Sequence, residues 1–105
     1  MAWLCLTIAG LFEAVWAVGM KQSEGFTRPL ASTITILAML VSIVLLAVAM
    51  KTLPVGPAYA VWTGIGVVGA FAAGVFMLGE AATPMRLIAV GLIVGGIALM
   101  KFAAD

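Results

Sequence analysis

Residues 2–20 read AWLCLTIAGLFEAVWAVGM, an apolar run whose one charge, Glu13, stands near its centre. A helix needs about 20 such residues to cross the hydrocarbon of a bilayer. A charge at the middle of such a span costs roughly 2.5–3.5 kcal/mol on insertion scales. A side chain that costly to bury is a functional-site candidate, and the remainder of the chain must supply what it binds. Three further apolar segments follow. Leu30–Met50 is uncharged and bounded by Arg28 and Lys51; Pro57–Leu78 is also uncharged and ends at Gly79-Glu80; Leu87–Met100 lies between Arg86 and Lys101. The last is about 21 Å long as a helix, and the stems of its flanking cations extend it toward the interfaces. An all-α membrane protein of four transmembrane helices is expected, with spans over about residues 3–21, 30–50, 57–78 and 85–102 in a single domain, 1–105.

Composition points the same way. The 105 residues are 66% hydrophobic and 9% charged, against about 25% charged in soluble domains. A core this small cannot hide that much apolar surface, so the bilayer is the expected solvent. The net charge of +1 gives no reason to expect nucleic-acid binding. With no His and a single Cys, Cys5, one chain holds no zinc site, disulfide or Cys–His pair. No metal, cofactor or enzymatic activity is expected. The first segment lacks a basic leader and is interrupted by Glu13, so it reads as a span and not a signal peptide. Gly25, Pro29, Pro54, Gly56, Gly79 and Pro84 punctuate the short loops, where helices should stop and restart.

Four spans put both termini on one side, together with Lys51 and Lys101; Lys21, Arg28 and Arg86 fall on the other. That balance gives the positive-inside rule little to act on. Insertion in both orientations, and an antiparallel dual-topology homodimer, are expected. Glu13 lies one or two residues past the centre of its span, about 2 Å by helix rise. Oppositely oriented copies would therefore bring their carboxylates to nearly one depth. In the fourth span Gly91 and Gly95 form a small-xxx-small face that suits close helix packing across the dimer.

Residues three or four apart share a helix face. Gly10, Glu13 and Trp16 form one stripe, with room beside the carboxylate at Gly10 and an indole N–H at Trp16. Tyr59 and Trp62 share a face of the third span, and Ser42 and Met39 lie near the middle of the second. Trp16, Tyr59 and Trp62 also suit the interfacial aromatic belt, and Ser42 could bond back to its own helix. Glu13 needs partners, however, and these side chains can provide them. A carboxylate among aromatic rings suits a cation, through charge and cation–π attraction. Buried in hydrocarbon it is neutralised by a proton or by a bound cation, so the two compete for the same oxygens. If either permits a conformational switch and the empty site does not, the result is proton-coupled antiport. Gly64 and Gly66 in the third span could serve as a hinge or as a close-packing surface.

Several motifs are now in hand: Gly10-x-x-Glu13-x-x-Trp16 through Lys21, Gly25-Phe26-Thr27-Arg28, Ser42, and the long run Leu53-Pro54-Val55-Gly56-Pro57-Ala58-Tyr59-Ala60-Val61-Trp62-Thr63-Gly64-Ile65-Gly66. On these the chain resembles the small multidrug resistance transporters over essentially its whole length, and among them the guanidinium-exporting subtype. The resemblance implies an antiparallel dimer in the bacterial inner membrane that exchanges protons for cations at a shared pair of Glu13 carboxylates. Gly10, Trp16 and Ser42 carry the subtype: the matching residues there form a hydrogen-bond network around the glutamates, and exporters of polyaromatic cations typically lack the tryptophan. Planar guanidinium, with its paired N–H donors, rewards a carboxylate of fixed orientation. Two positions depart from the family's usual pattern, Glu24 in the first loop and Pro57 where a threonine is usual. The expectation is export of guanidinium and small substituted guanidinium cations. A quaternary-ammonium multidrug exporter, a dual-topology ion channel and a subunit working only with a paralogue are the alternatives.

Overall fold

The computed structural model describes residues 1–104 as four helices: α1 (Ala2–Gln22), α2 (Pro29–Ala49), α3 (Val55–Met77) and α4 (Pro84–Ala104). All four are long and apolar enough to cross a membrane. Their 21–23 residues correspond to about 32–35 Å of helix, against a hydrocarbon thickness of about 30 Å. α4 runs beyond the apolar segment at both ends and takes Arg86 and Lys101 into its first and last turns. That removes the shortfall in the fourth span.

The boundaries follow from local chemistry. Arg28 is extended before Pro29, which opens α2 at a position where its missing N–H costs nothing. Pro54 is likewise extended as the N-cap of α3, and Pro57 falls in the first turn, where a missing N–H costs little. Between α1 and α2 the chain passes through Glu24, Gly25 and Phe26 with φ of 50°, 75° and 66°. Two of these are left-handed non-glycine residues, which is uncommon. Ser23, fully buried, holds them: its Oγ donates to Met20 O (2.7 Å) and accepts the Phe26 N–H (3.0 Å). Its carbonyl accepts the Thr27 and Arg28 N–H groups. Glu24 pairs with Arg28 at 3.4 Å on the surface, a contact worth little.

α1 packs against both α2 and α3, whereas the backbone of α4 lies close to α3 alone. The core gathers Leu6 and Ala9 of α1, Leu46 and Ala49 of α2, and Ala58, Val61 and Trp62 of α3. These lie toward the end of the bundle that carries the termini. No residue of α4 is buried among those described; its inward side is Val90, Ile93 and Ile97, half-buried. A Cβ at Gly91, Gly95 or Gly96 would meet nothing within 4 Å. The glycine face of α4 is turned away from its own chain. Lys101 reaches from α4 to α1, its Nζ 5.1 Å from the Trp3 ring centroid.

Candidate functional site

Glu13 stands one residue past the midpoint of α1, with its carboxylate laid against the backbone of Gly66 on α3. A Cβ at Gly66 would fall 2.5 Å from Glu13 Oε2 and 2.8 Å from Cγ. No side chain larger than hydrogen fits there while Glu13 keeps its place. Oε2 is buried and has no hydrogen-bond partner. Gly66 is thus a wall of the carboxylate pocket.

Gly10 plays a different part from leaving room for the carboxylate. A Cβ there would lie 2.7 Å from Ile65 Cβ and 3.4 Å from Trp62 O, so the missing side chain lets α1 and α3 approach closely. Gly64, on the opposite side of α3, is filled in the same way by Ile97 and Ile93 of α4. α3 is one continuous helix through both glycines.

The hydroxyl of Ser42 joins three helices. Fully buried, it donates to Ala9 O of α1 (2.7 Å) and accepts the Trp62 Nε1–H of α3 (2.9 Å). It does not turn back to its own helix. Ala9 O is also the α-helical acceptor of the Glu13 N–H, so Ser42 and Trp62 grip the turn that carries the carboxylate. Ser42→Ala leaves the buried Trp62 N–H without an acceptor. The expected cost is about 1–3 kcal/mol of stability, measured by reversible unfolding in micelles.

Tyr59 tilts against Trp62, with ring centroids 5.3 Å apart and planes at 57°; its ring is exposed whereas Trp62 is buried. Met39 is half-buried, one turn from Ser42. Trp16 is half-buried, and its indole nitrogen is buried without a partner, so the hydrogen bond expected between Trp16 and Glu13 is not formed in this conformation. Gly91 and Gly95 stand apart from all of these, on the outer face of α4. The sequence reading missed Ala9, which acts through a carbonyl that every residue has, and Ile65, whose fit to Gly10 depends on how α1 and α3 are rotated. Among the described residues no group of three His, Cys, Asp or Glu side chains comes together.

A carboxylate with a buried, unpartnered oxygen stands at mid-length of the first of four membrane-length helices, the frame of a multi-pass membrane protein. The sequence profile of the Small Multidrug Resistance protein family matches residues 1–93, and the chain belongs to that family, at home in the bacterial inner membrane. It is similar to curated proteins called "Guanidinium exporter". The one from Citrobacter freundii is 59% identical over 103 residues, 98% of each chain. That of Salmonella typhimurium strain LT2 is 59% identical over 104 residues, 99% of each chain, and that of Escherichia coli O6:H1 is 59% identical over 103 residues.

Proposed function

We propose that this chain is a proton-coupled antiporter that exports guanidinium, and small substituted guanidinium cations, across the bacterial inner membrane. The observation that carries the reading is the Glu13 carboxylate, pressed on Gly66 with a buried oxygen that bonds to nothing. Such a group calls for either a proton or a cation. The exporter names of relatives 59% identical over nearly the whole chain support guanidinium as that cation. Its planar N–H edge matches a carboxylate bidentately, and Tyr59 and Trp62 offer π-faces to its charge.

The working unit is an antiparallel homodimer in which two Glu13 carboxylates share one site. One chain leaves α4 unburied and turns Gly91 and Gly95 outward, which suits close contact with a second copy. Gly64 and Gly66 allow α3 to bend as the two chains exchange shapes. Proton and guanidinium then alternate on the same oxygens, and each crosses in the direction opposite to the other. Adding guanidinium to purified dimer in weakly buffered micelles should release protons, and Glu13→Gln should release none. Binding without proton release would count against the coupling. Guanidinium affinity should also weaken as pH falls, because a protonated carboxyl loses acceptor capacity.

A further inference from the structure

Among the described residues four side-chain atoms are buried without a hydrogen-bond partner: Glu13 Oε2, Trp16 Nε1, Thr63 Oγ1 and Ser32 Oγ. The first two belong to the site already described. Thr63 has been given no part in it. The other helical threonines show what a threonine in this bundle ordinarily does. Thr7 donates to Trp3 O (2.8 Å), Thr33 to Pro29 O (2.7 Å) and Thr35 to Ala31 O (2.7 Å), each returning its proton to the carbonyl four residues back. Thr63 is the exception: its hydroxyl makes no such bond to Tyr59 O.

Its place on α3 gives the exception meaning. Tyr59, Thr63 and Gly66 stand at i, i+4 and i+7, on one helix face. Gly66 is the wall on which the Glu13 carboxylate rests. Thr63 therefore stands between the aromatic and the acidic parts of the site. A buried hydroxyl left unbonded there awaits a partner that this chain does not supply.

We propose that Thr63 is a substrate ligand whose Oγ1 accepts an N–H of bound guanidinium; this rests on the guanidinium reading above. Guanidinium carries three amino groups in one plane. A bidentate carboxylate takes one edge of that plane, and the twin carboxylate of a dimer takes a second. The third edge needs an acceptor that adds no further negative charge, because one cation cannot neutralise three carboxylates. A hydroxyl meets that need: its lone pairs accept the N–H, and on binding its proton can rotate onto the Tyr59 carbonyl, a bond the substrate-free chain does not make. A quaternary ammonium ion has no N–H and gains nothing from Thr63. The residue is thereby specificity-determining.

Two variants separate this role from a structural one. Thr63→Val removes the oxygen and keeps the branched shape; Thr63→Ser keeps the oxygen. Guanidinium affinity, read from tryptophan fluorescence of the purified protein, should weaken about tenfold in the Val variant and stay within about twofold in the Ser variant. The midpoint of the ligand-free protein's own pH titration should be unchanged in both, because Thr63 bonds the substrate and not the carboxylate. Wild-type affinity in the Val variant would overturn the proposal. So would a pH midpoint that moves together with the affinity, or a Ser variant that loses as much as Val. Guanidinium–proton exchange by the wild type in vesicles is read separately. A failure of the guanidinium reading would appear there, in the unmodified protein.

Discussion

Glu13→Gln should abolish proton-coupled guanidinium transport, by at least about a hundredfold, while the four-helix bundle stays folded. The carboxamide matches the carboxylate in shape but carries no charge and takes up no proton at any physiological pH. It can neither hold guanidinium electrostatically nor trade it for a proton. Stability should not fall, because Glu13 Oε2 has no hydrogen bond to lose and a charge at the centre of a span costs roughly 2.5–3.5 kcal/mol on insertion scales. Substrate-induced currents in reconstituted vesicles, with unfolding in micelles as the control, check both halves. A glutamine variant that retains coupled flux would show that the coupling group lies elsewhere.

Gly66→Ala should give the second-largest loss, about tenfold or more in transport, and it should do so with little loss of stability. The added methyl falls on the Glu13 carboxylate and on its Cγ, the free end of a flexible side chain that can swing away at small packing cost. Swinging away displaces the group that binds substrate, and small misplacements of a binding group carry large penalties. Gly10→Ala is the internal contrast. Its methyl meets the branched Cβ of Ile65 and approaches the Trp62 backbone carbonyl, which cannot move aside freely. Overpacking of that kind costs about 1–3 kcal/mol. Unfolding and transport measured side by side should therefore separate the two glycines. Equal effects of both substitutions on both quantities would mean that Gly66 is no more than a helix-packing position.

That contrast also shows where sequence reasoning stops. Glu13 was legible at once, because one carboxylate in an apolar run needs no neighbours to be anomalous. The four helices were legible for the same reason, and α4 holds Arg86 and Lys101 in its first and last turns. The rotation of α1 against α3 is not written in either helix alone. That Gly66 abuts the carboxylate and Gly10 receives Ile65 could therefore not be read from either helix. Ser42 was picked out by its hydroxyl at mid-depth, but its acceptor is a backbone carbonyl, which no residue type announces. At Trp16 the spacing from Glu13 suits a hydrogen bond, but spacing does not fix the conformation; here the indole nitrogen is buried without a partner. Thr63 was visible only as part of a motif until its missing back-bond set it apart from Thr7, Thr33 and Thr35.

The central claim is that one carboxylate trades a proton for a guanidinium ion. The most direct measurement reconstitutes the purified chain alone into vesicles holding a pH-sensitive dye, and imposes a guanidinium gradient with no pH gradient. The account predicts proton movement opposite to guanidinium, saturating with substrate and lost in Glu13→Gln. Guanidinium flux through the wild-type protein that leaves the internal pH unchanged would contradict it.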